Sequence, residues 1–191
     1  MKAKRWIAGI GMALCVLSAD GTLILGNEQM RQTVAYTDAE HVRYILEAAG
    51  GAMRMEFIID GDTIYRVDNG RPVKVGKAGK KVRLHPLTIV SKGEKTTVAG
   101  FDAFKAKVKL EGGTGDVLLS DDPKLVEAFK VFSTASAKLA SGMPMGMGLG
   151  DEGEMDYVID GKYAVVGFTE MMKLVSFSDA PIDASIFQRL K

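Results

Sequence analysis

Hydrophobic and polar residues alternate cleanly in the stretch 96–110, which reads TTVAGFDAFKAKVKL. After Gly100 one face of this pattern is apolar, with Phe104, Ala106, Val108 and Leu110. The opposite face is charged, with Lys105, Lys107, Lys109 and Glu111. A period of two with one apolar and one charged face is typical of a half-buried antiparallel strand. The stretch therefore predicts a sheet that is dry on one side and solvated on the other.

Shorter segments of the same kind surround this strand and are separated by turn dipeptides. Residues 52–60 place four apolar side chains on a single face: Met53, Met55, Phe57 and Ile59. Asp60-Gly61, Asn69-Gly70 and Asp160-Gly161 tolerate the positive φ angles that tight hairpins require. The pattern predicts a meander of short strands before residue 96 and further strands after residue 155.

One segment has the period of a helix, from about residue 122 to 140. Asp122 is a good N-cap, Pro123 suits the first helical position, and Gly142 is placed to end the helix. One stripe is largely apolar: Leu125, Val126, Phe129, Phe132, Ser136 and Leu139. The opposite stripe is polar: Glu127, Lys130, Thr134 and Lys138. A helix with two phenylalanines on one stripe must cover an apolar surface, so we expect it to pack on the sheet.

The predicted fold class is therefore mainly β (α+β), with an antiparallel sheet on one main helix. The 191 residues suffice for one domain with a real core. Without Lys2, Lys4 and Arg5, the chain holds 22 basic and 24 acidic residues. This near-neutral balance gives no support to nucleic-acid binding, which favours a clustered basic surface. A solvated sheet face accounts for the lysines of the central strand.

The N-terminus has the pattern of a secretory signal peptide. Its basic residues precede an apolar run over 6–17, and the small residues Ser18 and Ala19 follow. The run is shorter than the roughly 20 residues that span a bilayer. We expect a signal peptide over 1–19, a single domain over 20–191 and a periplasmic location. The apolar stretch 21–26 leaves an uncleaved anchor as the alternative.

The single cysteine, Cys15, lies inside this apolar run. A lipoprotein signal has a small residue directly before its cysteine, whereas this chain has Leu14 there. We therefore expect no lipidation. A cleaved product would contain no cysteine, and therefore no disulfide, thiol nucleophile or thiolate metal site.

Three segments give the chain a family resemblance: TTVAGFDAFKAKV in the central strand, DDPKLVEAF at the helix start and SFSDAPIDASIF near the end. Over roughly residues 40–190 the chain resembles the secreted domains related to bacterial lipoprotein carriers (LolA/LolB-like). The resemblance implies an open, strongly curved antiparallel sheet, a half-barrel wrapped over helix. It also implies a periplasmic location and an apolar cavity. Lipoprotein transport does not follow from it.

Residues typical of catalysis or of a hard-metal site show no diagnostic arrangement. His41 and His85 are the only histidines, with no glycine-elbow serine and no acid at a diagnostic spacing. Four acids cluster late in the chain: Asp151, Glu152, Glu154 and Asp156. Their spacing matches no calcium loop, and a solvated turn accounts for them. We therefore predict no enzyme, no cofactor and no metal site.

Three methionines alternate in a glycine-rich loop: Met143, Met145 and Met147. Unbranched, polarizable side chains of this kind make an adaptable apolar lip over a cavity or a partner. The alternative is a soft site for Cu(I), because thioethers bind that ion.

The apolar faces suggest two interpretations, a ligand cavity and a filled core. In the first, a cavity between sheet and helix is lined by Met53, Met55, Phe57, Ile59, Phe104, Val108, Phe129, Phe132, Met143, Met145 and Met147. We therefore predict an exported, non-enzymatic binding or carrier module. Its partner would be a lipid, an acyl chain, another hydrophobic small molecule or a lipidated protein, with transient membrane contact. A copper-handling protein and a ligand-free structural or interaction domain are the alternatives.

Overall fold

The computed structural model describes residues 20–78, 84–110, 112–143, 155–168, 172–188 and 190. The predicted signal peptide, Met145, Met147 and the acids Asp151, Glu152 and Glu154 lie outside the described residues. Within the described ranges, no helix combines the length and the apolar character needed to cross a membrane.

The described residues form one antiparallel sheet of twelve strands, which is open and curved, with one long helix, α1 (Pro123–Gly142). The strands are β1 Gly21–Gly26, β2 Met30–Tyr36, β3 His41–Ala48, β4 Arg54–Asp60, β5 Thr63–Asp68, β6 Arg71–Lys77, β7 Thr88–Val98, β8 Phe101–Leu110, β9 Gly113–Ser120, β10 Val158–Ile159, β11 Tyr163–Phe168 and β12 Met172–Ser178. Their order across the sheet is β6-β5-β4-β3-β2-β1-β12-β11-β9-β8-β7, and β10 pairs with β11. The predicted fold class is confirmed.

The predicted hairpin turns form at residues with positive φ angles. Asn69 and Gly70 both have positive φ, as do Asp160 and Gly161, which is the signature of the tight turns the sequence predicted. A further turn was not predicted. Ala99 (φ 50°) and Gly100 (φ 86°) separate β7 from β8, so the stretch 96–110 is a hairpin and not one strand. The alternation after Gly100 is confirmed: Ala106 and Val108 are buried, while the lysines between and beside them are exposed.

Helix α1 begins as the sequence predicts. Asp122 Oδ1 accepts hydrogen bonds from the backbone N–H groups of Lys124 (2.9 Å) and Leu125 (3.2 Å). The whole predicted apolar stripe is buried. Val131, Ala135 and Ala137 are buried too, so the curved sheet and its connections surround the helix on more than one side. For this reason Lys138, expected in solvent, is buried.

Met53 differs from its predicted place. It precedes β4 instead of continuing its inner face, and its side chain is 47% exposed. Met55, Phe57 and Ile59 do follow the predicted alternation, and the last two are fully in the core.

Ile186 and Phe187 pack on the outer face of the sheet. A short helix, α2 (Ser185–Gln188), brings Phe187 to 5.7 Å from the ring of His41 on β3, measured between centroids. Ile186 of the same helix shares a cleft of about 430 Å³ with Ile58 of β4, a buried residue that alternates with the core residues of its strand. Phe187 is buried there.

Both edges of the open sheet carry features that oppose further pairing. Edge strand β7 has two register irregularities and the exposed charges of Lys92 and Lys95. Edge strand β6 includes Pro72, which has no N–H to donate. Such features are the usual protection of a sheet edge against strand addition.

Candidate functional site

Five of the residues predicted to line a cavity form the packed centre of the molecule. Phe57, Ile59, Val108, Phe129 and Phe132 are at most 2% exposed and belong to one core. Ile59, Val108 and Phe129, at 0%, border neither solvent nor an internal void that admits water. The strands and α1 therefore bury these five side chains in one core, and the helix occupies the centre of the concave face.

Phe132 is the aromatic centre of this core. Its ring lies 4.8 Å from Tyr157, 5.9 Å from Phe129 and 6.3 Å from Tyr44 between centroids. Tyr157 continues to Phe168 at 6.1 Å. Aromatic pairs at these separations each contribute about 0.5–1.5 kcal/mol beyond their burial. They connect the sheet, α1 and the segment before β10 into one rigid unit.

A few polar groups are enclosed in this apolar centre. Tyr44 Oη donates a hydrogen bond of 2.7 Å to Gln32 Oε1. Burial raises the pKa of Tyr44 far above its usual value, and the nearby Tyr157 adds to this. Ser133 Oγ accepts the Tyr157 N–H (2.9 Å) and donates to the Phe129 carbonyl (2.9 Å). Ser136 Oγ is buried without a hydrogen-bond partner among the described residues.

The C-terminal half of α1 is fixed near the ends of β2, β4 and β6. Lys138 Nζ donates to Glu40 Oε2 (2.8 Å), to the Gly61 carbonyl (3.1 Å) and to the Ala39 carbonyl (3.3 Å). At the last turn, Gly142 packs its backbone against Gly76 on β6. Because the strands are antiparallel, all these contacts lie at one end of the sheet, where β2 and β4 finish and β3 and β5 start.

The opposite end of the concave face carries apolar side chains that are only partly covered. Met30 begins β2 and is 44% exposed, and it lies on the same face of the strand as the inward-facing Gln32 and Val34. Met30 pairs with Ala48, whose N–H donates to the Met53 carbonyl at 2.9 Å, so the two methionines lie at adjacent strand ends. We call the four methionines at this end the methionine rim: Met30, Met53, Met55 and Met172.

Further apolar residues extend the methionine rim. Met172 and Phe168, both half-buried, line a hollow of about 420 Å³ next to the β1–β2 turn. Leu110 at the end of β8 is also half-buried against the core. Met30, Phe168 and Met172 were not among the residues predicted to line a cavity. For Met30 a signal was available, because its spacing from Val34 puts both residues on one face of β2.

The remaining predicted cavity residues lie elsewhere. Phe104 is half-buried near the other edge, where its ring packs 5.5 Å from Tyr163 and Lys92 Nζ lies 5.1 Å from its centroid. Lys92 Nζ donates to Tyr163 Oη (2.7 Å), and with Lys162 it lowers the pKa of Tyr163. Met143 directly follows α1 and is half-buried against the core.

The His41 imidazole lies between two carboxylates. Its Nδ1 lies 2.9 Å from both carboxylate oxygens of Asp38, and its Nε2 lies 3.3 Å from Asp60. Partial burial raises the pKa of Asp38, but hydrogen bonds from His41 and from the Glu40 N–H outweigh it and hold that pKa below its usual value. Among the residues that the structure describes, no three His, Cys, Asp or Glu side chains are placed to hold a metal ion.

Comparison with known proteins yields no relative for this chain: no family model, no curated protein and no solved structure matches it. The resemblance to the lipoprotein carriers therefore stays a prediction.

Proposed function

We propose that this protein is a non-enzymatic binding or carrier module for an acyl chain or another elongated apolar ligand, free or attached to a lipidated partner. One observation supports the proposal above the others. The concave face is filled by α1 at one end, while at the other end the apolar side chains of the methionine rim remain partly exposed. A concave face that is filled at one end and carries exposed apolar side chains at the other offers a mouth for such a ligand.

The chemistry of the methionine rim suits this role. Thioether side chains are unbranched and polarizable, so they adapt to flexible chains of different shape. Gln32, beneath Met30, is half-buried and already accepts a hydrogen bond from Tyr44. Its amide nitrogen would offer a donor to a carboxyl or ester group at the end of the ligand.

The proposal is tested by native mass spectrometry of the protein purified from its own cellular compartment. A bound mass that disappears under denaturing conditions and matches an acyl lipid is the expected result. Addition of a fluorescently labelled fatty acid to the delipidated protein should restore a one-to-one complex. A clean ligand-free mass together with no uptake of the fatty acid would overturn the proposal.

A ligand-free interaction domain is the second candidate, because Phe129 and Val108 at the centre of the core have no accessible surface. In that case the methionine rim would contact a protein partner. The two functions give opposite results in the fatty-acid experiment, which therefore distinguishes them.

A further inference from the structure

Two lysines and two aromatic rings meet near the β7 edge of the sheet. Lys92 Nζ lies 4.1 Å from the ring centroid of Tyr163 and 5.1 Å from that of Phe104, and it donates to Tyr163 Oη at 2.7 Å. Lys162 Nζ lies 5.2 Å from the Tyr163 centroid. Both ammonium groups therefore approach one phenol side chain. We call Lys92, Lys162 and Tyr163 the lysine–tyrosine site.

The backbone brings the members of this site together from two separate parts of the chain. Lys92 directly precedes an irregularity in the pairing of β7 with β8. Lys162 directly follows the tight turn at Asp160-Gly161. The Tyr163 ring, at the start of β11, packs edge-on against Phe104 of β8 at 5.5 Å between centroids, across the intervening strand β9. Strand pairing and this ring contact therefore hold the site in place.

The positive charges of the site are not balanced by a carboxylate in the described part of the chain. Neither Lys92 nor Lys162 forms an ion pair there, and Glu94, two residues beyond Lys92, pairs with Lys105 at 3.4 Å. Hydrogen bonds from Lys92 and Lys162 lower the pKa of Tyr163, as expected beside two cations. Like charges beside one ring repel each other, so an anion placed between them is stabilised.

We propose that the lysine–tyrosine site binds a phosphate group that carries two negative charges. The two ammonium groups match that charge, and their flexible stems let them turn from the phenol to the phosphate oxygens. Tyr163 Oη is then free to donate its own hydrogen to the same phosphate. The phosphate belongs either to a soluble ligand or to a lipid headgroup, and the chemistry of recognition is the same for both.

This inference does not depend on the proposed function, because the two sites are separate. Tyr163 begins β11, whereas Met172 of the methionine rim pairs with Phe168 at the other end of that strand. A phosphate at the lysine–tyrosine site therefore leaves the methionine rim uncovered.

Calorimetric titration with inorganic phosphate at constant ionic strength tests the site. Lys92→Met and Lys162→Met should each lower the affinity about tenfold, because each removes a charge-assisted hydrogen bond. Tyr163→Phe should lower it about threefold, because it removes a neutral donor and keeps the ring. Lys109→Met is the matched control: it removes the same charge from an exposed position on the other face of β8 and should bind phosphate as the wild type does. An equal loss in this control, or no loss in the two site variants, would overturn the proposal.

The phenol of Tyr163 gives a second readout at the site itself. Its titration is followed by phenolate absorbance, as the difference between the wild type and Tyr163→Phe. Added phosphate should raise the pKa of Tyr163, because a bound anion disfavours a second negative charge beside it. A pKa that phosphate leaves unchanged would also overturn the proposal.

Co-sedimentation with vesicles identifies the source of the phosphate group. Binding to phosphatidylcholine vesicles that contain phosphatidic acid, lost in Lys92→Met and kept in Lys109→Met, assigns the site to a lipid headgroup. Binding of inorganic phosphate without binding to these vesicles assigns it to a soluble ligand. Binding of neither overturns the proposal and leaves the proposed carrier function standing, because the fatty-acid experiment tests that function separately.

Discussion

Gly142, the last residue of α1, lies so close to Gly76 on β6 that a methyl group on Gly76 would collide with the Gly142 carbonyl oxygen. The reverse is also true, since a methyl group on Gly142 would meet the Ile64 side chain and the backbone of Lys77 and Ala78. Neither glycine has a positive φ, so the requirement is for space and not for backbone conformation. The helix end and the sheet approach each other backbone to backbone.

Gly76→Ala should therefore lower the free energy of unfolding by about 1–3 kcal/mol, the usual cost of forcing a methyl group into a packed contact. Chemical denaturation measures this directly. Gly112→Ala is the matched control, because no atom lies within 4 Å of a Cβ built there and its φ is not positive. Equal stability of the two variants would show that α1 does not end against β6.

Ala99 occupies the left-handed region at φ 50°, where an L-residue other than glycine is strained. Ala99→Gly removes a strain of about 1–2 kcal/mol but gives the unfolded chain more freedom, so we expect a net stabilisation of about 0.5–1 kcal/mol. The midpoint of thermal unfolding should rise accordingly. A loss of stability would mean that the β7–β8 turn has another backbone conformation.

The strands and the helix were predictable because their signals are local. The dipeptides Asn69-Gly70 and Asp160-Gly161 are typical of tight turns and predict them directly. Asp122-Pro123 likewise predicts the start of α1. The Ala99-Gly100 turn was missed because alanine is not a signal for positive φ. Local pattern also placed Lys138 in solvent, since its polar stripe does not reveal that two turns of the sheet cover it.

The candidate site was harder to predict, because it depends on which end of the concave face the helix fills. The sequence left a ligand cavity and a filled core both open, and Phe129 and Phe132 share one buried core with the strand residues Phe57 and Val108. The partly exposed methionines lie at the end of the sheet away from the contacts of Lys138 and Gly142, the C-terminal part of α1. Only the direction in which α1 crosses the strands identifies that end.

Substitution of Phe132 and of Phe104 compares the stability contribution of a core residue with that of a peripheral residue. Phe132→Ala deletes the centre of the aromatic contacts and should cost about 3–5 kcal/mol of unfolding free energy. Phe104→Ala removes a half-buried ring packed on Tyr163 and should cost clearly less, about 1–2 kcal/mol. Equal losses in equilibrium unfolding would contradict the assignment of Phe132 as the centre of the core.

The raised pKa of the buried Tyr36 side chain predicts that the protein loses stability at alkaline pH. Burial, with smaller contributions from Glu127, Asp179 and Asp20, raises its pKa to about 12 from an ordinary value of 10.0. The folded state therefore keeps the proton that the unfolded state loses. This contribution is fully present below pH 10 and is lost as the pH rises from 10 to 12, by about 2–3 kcal/mol. Tyr36→Phe should flatten the decline measured by denaturation at each pH, and an equally steep decline in the variant would exclude Tyr36 as its cause.

The methionine rim predicts where an acyl ligand enters. Met30→Gln and Met53→Gln keep side-chain length but place amides where the proposed mouth is apolar. Because both residues are nearly half exposed, the double variant should fold with wild-type stability. Its affinity for a labelled fatty acid should fall about tenfold, since each substitution removes apolar surface that the ligand would cover. Val90→Thr, at a 58% exposed valine on β7, is the control and should bind as the wild type does. If both variants bind equally, the ligand enters elsewhere and the rim serves another contact.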